Sequence, residues 1–383
     1  MSIEEVKAAF RQQFDKAPRV FRSPGRINLI GDHTDYNLGF VFPAAIDRYV
    51  TLALAPNGRD EFTVHALDLD ERITSPLSIV EAEDSSHWSG YFKGVTSLML
   101  QKNVVLQGFN CVFSSNIPVG AGLSSSAAIC AGFAFALNTV FEGGLTRADL
   151  VRLAQQTEHE FIGLQCGIMD QTASLFGKNG QVILLDCLSE NHQYVPLELQ
   201  NYQLVICDSK VKHELASTGY NDRRKDCDEA LEMLQKAGHE IENLRQVSSD
   251  LLTAQKAYLG KQRYKRVSFV LEENQRVLDA ASCLEHGNVP LLGELMYASH
   301  EGLSVMYEVS CPEMDFLVAQ TKGLAYVAGA RMMGGGFGGC TLNLVARDFV
   351  PEFKVLMVQA YKEAFGLAPE LITVNTGEGS HEM

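Results

Sequence analysis

The stretch Pro118 to Ala128, PVGAGLSSSAA, decides the fold because it joins a strand pattern to a helix of small residues. Ahead of it, residues 109–113 alternate as a strand does, and behind it residues 127–140 form a helical pattern without proline. A Gly/Ser loop that leads into a helix collects unpaired backbone N–H groups at the positive end of the helix dipole. The stretch therefore predicts a phosphate-binding loop.

Two interpretations of this loop's side chains remain open at the level of sequence. Gly120 and Gly122 allow the backbone to approach a ligand closely. The hydroxyls of Ser124, Ser125 and Ser126 could cap the helix or reach a metal ion. The alternative is an ordinary capped helix, although three consecutive serines supply more hydroxyls than capping needs.

The other glycine-rich segments do not match known nucleotide loops. Gly177-Lys178 and Gly260-Lys261 lack the upstream glycine and the following Ser or Thr of a Walker A loop. The run at 334–339, GGGFGG, satisfies G-x-G-x-x-G, but a strand pattern at 340–345 follows where a dinucleotide fold needs a helix. An NAD-dependent oxidoreductase is therefore not favoured.

Composition limits the class of protein and its partners. The chain has 383 residues, of which 46% are hydrophobic and 21% charged, enough for two domains. A net charge of −15 argues against nucleic acid or an anionic membrane as a partner. Nine scattered cysteines without a C-x-x-C pair favour reduced thiols and a cytoplasmic location. The N-terminal segment shows no apolar signal core, and no apolar stretch is long enough to cross a bilayer.

The order of patterns indicates an α+β protein. Strand patterns dominate the first half, residues 221–323 are mostly helical, and strands return near the C-terminus. We place two domains at 1–195 and 196–383. Within the helical part, the basic run Lys261–Arg266 is interpreted as a solvated face.

The densest polar cluster is residues 25–36, GRINLIGDHTDY, which follows a strand at 20–23 that we expect to turn at Pro24-Gly25. Gly31 is expected to turn the chain so that the four side chains of DHTD project together. Two carboxylates, an imidazole and a hydroxyl suit a polyhydroxylated ligand. A loop of Asx turns with solvated acids is the alternative, and a metal site is less favoured because no second His cluster accompanies it.

A second cluster, CGIMDQ, covers residues 166–171. Asp170 lies among apolar and small residues, where a carboxylate is costly unless it is paired or functional. A guanidinium such as that of Arg26 would keep it ionised; a helix cap is the alternative. Glu158 is by default a surface carboxylate, but facing the serine loop it would suit Mg²⁺.

Three of these segments resemble the motifs of the GHMP kinase superfamily and, within it, the galactokinase family. They occur along the chain in the same order as the family's motifs. GRINLIGDHTDY is similar to the galactokinase N-terminal motif. PVGAGLSSSAA resembles the superfamily's phosphate loop, and MGGGFGGC at Met333–Cys340 its third glycine-rich motif. The last two identify only the superfamily, whereas the first is more specific. The resemblance spans nearly the whole chain.

The resemblance implies a fold and an activity. The fold is a ribosomal-S5-like N-terminal domain and a ferredoxin-like C-terminal domain, with the site in the cleft between them. The activity is ATP-dependent phosphorylation of D-galactose at its anomeric hydroxyl, with Mg²⁺ as cofactor. Galactose and ATP are the expected partners, and a monomer is expected.

The resemblance also implies roles for individual residues. Asp170 would be the base or charge anchor beside the anomeric hydroxyl, and Arg26 would stabilise the transferring phosphoryl group. Ser126 and Glu158 would ligate Mg²⁺, and Trp88 would lie near the adenine. Sugar contacts are expected from Asp32, His33, Thr34, Asp35 and Tyr220. ATP-phosphate contacts are expected from Gly120, Ala121, Gly122, Leu123, Ser124, Ser125 and Ser126.

One residue departs from the pattern. Most galactokinases have Glu where this chain has Asp32, at a position expected near the 6-hydroxyl of the sugar. The shorter side chain keeps open a kinase for a related sugar, such as N-acetylgalactosamine or galacturonate. A catalytically silent galactose sensor is a further alternative, but the intact loop with Arg26, Glu158 and Asp170 argues against it.

Overall fold

A computed structural model describes residues 1–78, 88–118, 120–212 and 216–383. Val119, which belongs to the predicted phosphate loop, lies outside the described residues. In the described part of the chain, no helix combines the length and apolar character needed to cross a membrane.

The described residues contain strands and helices throughout the chain. The strands are β1 (Arg19–Asn28), β2 (Phe40–Val41), β3 (Pro43–Pro56), β4 (Glu61–Ala66), β5 (Glu71–Pro76), β6 (Phe109–Ser115), β7 (Gln181–Asp186), β8 (Asn191–Pro196), β9 (Tyr202–Lys212), β10 (Val327–Met333), β11 (Gly338–Ala346), β12 (Glu370–Val374) and β13 (His381–Glu382). The helices are α1 (Ile3–Phe14), α2 (Ser89–Gln101), α3 (Ser125–Val140), α4 (Arg147–Thr157), α5 (Met169–Phe176), α6 (Ala216–Lys236), α7 (Ser249–Ala254), α8 (Lys256–Glu285), α9 (Val289–Glu301), α10 (Pro312–Thr321) and α11 (Val350–Phe365).

Three sheets organise these elements. The first has the order β13-β1-β3-β6-β4-β5, the second β10-β11-β9-β12 and the third β2-β7-β8. Neighbouring strands are antiparallel except β4 and β6, which are parallel. This mixture of antiparallel sheets and helices confirms the predicted α+β class.

The last strand returns to the first sheet. In β13, Glu382 pairs with Phe21 and His381 pairs with Arg22 of β1. The guanidinium of Arg19 also donates to the Glu382 carboxylate at 2.7 Å. The C-terminal residues therefore lie with the first sheet, although the rest of the chain after β8 builds the second sheet and its helices. The division at 195/196 stays a prediction.

Helix α3 is central to the hydrophobic core that packs against the first sheet. It contacts α2, α4 and α5 as well as β1 and β3. Its buried positions are mostly small, which lets neighbouring elements approach closely. The approach is tightest at Gly132, where an added Cβ would lie 2.4 Å from Cβ of Ser23 on β1. The small residues thus set the depth at which the helix and the loop before it lie on the sheet.

Strand β1 does not end where the sequence indicated. We expected a turn at Pro24-Gly25, but the strand continues to Asn28 with a register shift between Pro24 and Arg26. An added Cβ at Gly25 would lie 2.7 Å from the carbonyl oxygen of Leu123. The Arg26 N–H donates to that same oxygen at 3.1 Å. The glycine is therefore needed for close contact with the phosphate loop, and no turn is made there.

The basic run at 261–266 is not uniformly solvated, contrary to the sequence-based interpretation. Arg266 is only 1% exposed. It forms ion pairs with Asp226 and Glu308 and donates to the carbonyl oxygen of Met306. Paired guanidinium groups can be buried because their partners replace the lost hydration. Arg266 therefore joins α8 to α6 and to the turn after α9.

Replacing Gly132 by Ala should lower the free energy of unfolding by about 1–2 kcal/mol. The higher helix propensity of Ala would add about 1 kcal/mol, but contact with Ser23 should cost more because β1 or α3 must shift. Urea denaturation followed by circular dichroism measures the change. Val355→Ala, at a position 68% exposed on α11, is the control and should stay within about 0.5 kcal/mol of native. A Gly132→Ala variant as stable as native would contradict the argument.

Candidate active site

A cavity of about 350 Å³ lies where the two glycine-rich segments meet the polar cluster. It is lined by Arg26, Asp32, His33, Asp35, Gly120, Gly122, Leu123, Ser124, Ser125, Ser126, Leu164, Cys166, Met169, Asp170, Tyr220, Gly334, Gly335 and Gly336. The structure therefore brings together most of the residues that the sequence singled out, from segments far apart in the chain.

Three predicted site residues do not line this cavity. Ala121 belongs to the loop but is fully buried. The Thr34 hydroxyl lies 2.7 Å from the carbonyl oxygen of Gly31 and 2.6 Å from that of Phe40, to which it can donate. This hydroxyl stabilises the turn, so Thr34 does not face the cavity as the sequence had suggested. Glu158 is buried and is hydrogen-bonded to Ser126 of the loop.

The phosphate loop enters α3 without a side-chain cap. Ser124, at the N-cap position, has a left-handed backbone with φ 56° and makes no capping hydrogen bond. Its hydroxyl donates instead to the Asp170 carboxylate. The capped-helix interpretation is therefore not what the structure shows. The N–H groups of the first turn have no capping side chain, which suits an anion.

The third glycine-rich motif packs against this loop. An added Cβ at Gly122 would lie 3.2 Å from the carbonyl oxygen of Met333, and one at Gly334 would lie 3.3 Å from that of Gly122. Strand β11 begins at Gly338, directly after the turn. The segment thus supports the phosphate loop by backbone contact. Its G-x-G-x-x-G spacing leads into a strand and not into the helix that a dinucleotide-binding fold requires.

Arg26 and Asp170 form an ion pair at the floor of the cavity. Arg26 Nε donates to Asp170 Oδ1 at 2.8 Å and Nη2 donates to Oδ2 at 3.1 Å. Nη1 donates to the carbonyl oxygen of Gly122 at 2.5 Å. Burial lowers the pKa of Arg26, but the carboxylates of Asp170 and Asp32 outweigh burial, and the net pKa lies above its ordinary value. Asp170 keeps a quarter of its side chain exposed, towards the cavity that it lines.

The polar cluster forms a tight loop after β1. Gly31 has φ 100° and His33 φ 65°, so the chain reverses there and Asp32, His33 and Asp35 all face the cavity. Asp32 Oδ1 accepts from Asn28 at 3.0 Å. Its Oδ2 accepts from Arg331 at 2.5 Å and from the N–H of Gly334 at 3.2 Å. Asp32 is thus a bound carboxylate, and the alternative of a solvated acid is excluded for it.

His33 lies in a cluster of buried hydroxyls and rings. Its Nδ1 is 2.8 Å from the hydroxyl of Tyr36, which is 2.9 Å from that of Tyr307. The Tyr220 ring lies 5.2 Å from the imidazole, centre to centre. Burial lowers the pKa of His33 to about 4, so the imidazole is neutral at pH 7. Its Nε2 is buried and has no hydrogen-bond partner among the described residues.

Asp35 is a buried acid in contact with the second cluster. An added Cβ at Gly167 would lie 2.3 Å from its carboxylate. Burial, together with the charge of Asp170, raises the pKa of Asp35 to about 7. The carboxyl is therefore poised between its two protonation states near neutral pH.

Glu158 is buried, at 2% exposure, and is not the surface carboxylate that its helical position predicts by default. Gln171 donates to it, and burial raises its pKa to about 7 although a hydrogen bond from Ser126 lowers it. No group of three potential ligands occurs among the described residues. One carboxylate and one hydroxyl fit Mg²⁺, which takes few protein ligands and completes its shell with phosphate oxygens and water.

Several residues that hold the site were missed by sequence reasoning. Glu273 on α8 accepts from the N–H of Gly31 at 2.9 Å, and Asn274 accepts from the N–H of Phe40 at 2.8 Å. Both occur in a charged helical pattern and give no local signal. Arg331 did give one: a lone charge in the apolar strand VAGARMM requires a buried partner.

Tyr220 and Trp88, two further residues from the sequence analysis, differ in whether they line the cavity. Tyr220 lines it. Trp88 does not: its ring contacts Phe92 and Phe113, with centre-to-centre distances of 5.7 Å in both cases, and its indole N–H donates to Glu71. The expected contact of Trp88 with an adenine stays a prediction.

Comparison with known families agrees with this geometry. The family model "GHMP kinases N terminal domain" matches residues 90–178, and "GHMP kinases C terminal" matches 280–353. The "Galactokinase galactose-binding signature" matches 8–56, which includes the whole polar cluster. The fold is thus that of a GHMP kinase.

Individual relatives narrow the class. A galactokinase of Thermotoga petrophila is 39% identical over 358 residues, covering 94% of this chain and 98% of that protein. The crystal structure of Lactococcus lactis galactokinase complexed with galactose superposes with a TM-score of 0.94 at 35% identity, covering all of both chains. Mevalonate kinase of Methanococcus jannaschii shares the fold alone, at 19% identity and a TM-score of 0.67, over 94% of this chain and 99% of that one. This chain belongs to the galactokinase family.

Replacing Asp35 by Asn should make stability less dependent on pH. Because burial raises the pKa of Asp35 above its unfolded value, the native protein loses stability as pH rises from about 4 to about 7. The Asn variant lacks this loss and should gain about 2–3 kcal/mol relative to native between pH 5 and pH 8. Urea denaturation at both pH values measures the difference. Asp348→Asn, at an exposed position, is the control and should follow native. A parallel pH dependence in the Asp35 variant would contradict the assignment.

Proposed function

We propose that this member of the family transfers the γ-phosphoryl group of ATP to the anomeric hydroxyl of D-galactose, giving galactose 1-phosphate and ADP. The observation that carries the proposal is the Arg26–Asp170 pair at the junction of the phosphate loop and the polar cluster. Membership of the galactokinase family gives the reaction class. The Arg26–Asp170 pair supports the proposed place at which the γ-phosphoryl group and the anomeric hydroxyl meet.

Phosphoryl transfer depends mainly on positioning and charge stabilisation. The loop at 120–126 offers a close backbone approach and the uncapped N-terminus of α3 for the phosphates of ATP. Arg26 would stabilise the charge of the transferring group. Its position is determined by two bonds to Asp170 and one to Gly122, so little reorganisation is needed during the reaction.

Asp170 would accept the proton of the attacking hydroxyl or orient that hydroxyl towards the phosphoryl group. Oδ2 already accepts from Arg26 and from Ser124, whereas Oδ1 accepts, within the described residues, only from Arg26. A carboxylate oxygen has two acceptor positions. The second position on Oδ1 is therefore open to the sugar hydroxyl.

The sugar would be held by Asp32, His33, Asp35 and Tyr220. All four line the cavity, and they offer carboxylate, imidazole and phenol groups to hydroxyls. The neutral imidazole of His33 offers Nε2, which has no partner in the described part of the chain. Thr34 is not included because its hydroxyl is engaged by the turn.

Mg²⁺ is proposed as the cofactor, held by Ser126 and Glu158. Burial raises the pKa of Glu158, and a bound cation would supply a counter-charge to this carboxylate. When bound, the ion would neutralise charge on the phosphate oxygens. Galactose and ATP are the proposed partners of a monomer that acts in the cytoplasm.

Native protein should release ADP from Mg-ATP with D-galactose, and Asp170→Asn should reduce kcat by at least about 100-fold because the acceptor for the hydroxyl proton is lost. A coupled ADP assay measures both. The panel of substrates should include N-acetylgalactosamine, galacturonate, mevalonate and homoserine. Asp348→Asn at an exposed position is the matched control and should retain native turnover.

Other outcomes would change the proposal. Turnover with a different panel member but not with galactose would keep the assignment as a kinase of this fold and change the assigned substrate. Galactose binding by calorimetry without any turnover would favour a sensor. Full activity of the Asp170 variant would remove this residue from the reaction.

Glu158→Gln should raise the Mg²⁺ concentration needed for half-maximal stabilisation by ADP at least about tenfold, since a charged ligand is lost. Thermal unfolding with ADP and graded Mg²⁺ measures this without turnover. Glu160→Gln is the matched control, because Glu160 is on the same helical turn but exposed. Equal Mg²⁺ dependence in both variants would show that Glu158 does not hold the ion.

A further inference from the structure

Arg331 is a fully buried arginine at the base of the site. It lies on β10, does not line the cavity, and donates from Nη2 to Asp32 Oδ2 at 2.5 Å and from Nη1 to the carbonyl oxygen of Asn28 at 3.1 Å. One guanidinium thus holds both the end of β1 and the first acid of the polar cluster. Two contacts from one rigid guanidinium specify geometry as well as charge.

The bonds at Asp32 leave little of its carboxylate for a ligand. A carboxylate has about four acceptor positions, two on each oxygen. Oδ2 accepts from Arg331 and from the N–H of Gly334, and Oδ1 accepts from Asn28. One position on Oδ1 remains, and Asp32 lines the cavity. As long as these donors are in place, Asp32 acts only as an acceptor, and for a single hydroxyl.

The contacts at Asp32 also connect the polar cluster to the phosphate loop. Gly334, which donates to Asp32, packs against the carbonyl of Gly122. That carbonyl accepts from Arg26, the partner of Asp170. A shift of Arg331 would therefore change the position of the sugar-binding carboxylate directly. It would reach the catalytic pair only indirectly, through Gly334 and Gly122 or through Asn28, which lies two residues from Arg26 on β1.

We propose that Arg331 is a positioning residue that determines sugar specificity: it orients the Asp32 carboxylate so that one remaining acceptor position selects one hydroxyl of the substrate. The inference rests on the proposed function, since Asp32 is assigned to the sugar there. It predicts an effect concentrated in the recognition of the sugar, because the contacts to the phosphate loop are indirect.

Arg331→Gln should raise the KM for galactose roughly 10- to 100-fold, as expected for the loss of a hydrogen bond to a charged group. The value of kcat and the KM for ATP should change less than about threefold. The decisive measurement is a panel of 2-, 3-, 4- and 6-deoxygalactose. Native protein should discriminate strongly against the one that lacks the selected hydroxyl, and the Gln variant should lose that discrimination.

A double-mutant cycle separates positioning from general structure. If Arg331 acts through Asp32, then adding Arg331→Gln to Asp32→Asn should not raise the galactose KM further. Arg331→Lys keeps the charge and should restore part of the discrimination. Arg19→Gln is the matched control: this arginine also forms a two-bond ion pair, with Glu382, and neither residue lines the cavity, so galactose KM should stay native.

The outcomes distinguish the inference from the function on which it rests. Native protein that neither phosphorylates nor binds galactose overturns the proposed function and this inference with it. Normal native activity with additive effects of the two substitutions, or with unchanged deoxygalactose discrimination in the Gln variant, overturns only the role of Arg331. Should Arg331→Gln fail to fold, Arg331→Lys and the charge-balanced Asp32→Asn/Arg331→Gln variant give the same comparison.

Discussion

Close backbone contact among three glycine-bearing segments is the constraint on which the site depends. Gly25 on β1 meets the phosphate loop at Leu123, and Gly334 meets the same loop at Gly122. An added Cβ at Gly25 would collide with the backbone of Leu123, and one at Gly334 would be tightly packed on a backbone whose φ of 87° favours glycine. The loop is thus held between the first sheet and the turn that joins β10 to β11, and residues of all three segments line the cavity.

Charge is organised around this contact. The chain carries a net charge of −15, yet two acids of the site meet specific cations: Asp170 meets Arg26 and Asp32 meets Arg331. Asp35 and Glu158 form no such ion pair with the described residues, and burial raises the pKa of both to about 7. The site therefore contains two carboxylates paired with guanidinium groups and two that a bound cation or a proton can neutralise.

The sequence allowed the segments to be predicted because each carries its signal locally. The strand before PVGAGLSSSAA, the helix after it and the strand after GGGFGG all lie where their local patterns predict them, as β6, α3 and β11. The Thr146–Asp149 capping box that begins α4 is likewise a local pattern.

Wrong predictions arose where tertiary contact overrides local preference. Pro24-Gly25 favours a turn in isolation, but β3 and the phosphate loop hold it in a strand. Arg266 belongs to a basic run, but its partners lie some forty residues away in both directions. The positions of Glu273 and Arg331 beneath the site depend on the packing of the second half of the chain against the first, which no local pattern encodes.

Pairing of the C-terminal strand with β1 has a consequence for the order of assembly. β13 occupies one edge of the first sheet, and the Met383 N–H donates to the carbonyl oxygen of Val20 at 2.9 Å. During synthesis, β1 emerges early and its outer edge stays unpaired until β13 has also left the ribosome. Early sheet formation therefore creates an exposed edge that only a segment from the far end of the second half can close. A nascent chain truncated before residue 381 would keep that edge open to other strands, so synthesis of β13 is what protects the first sheet.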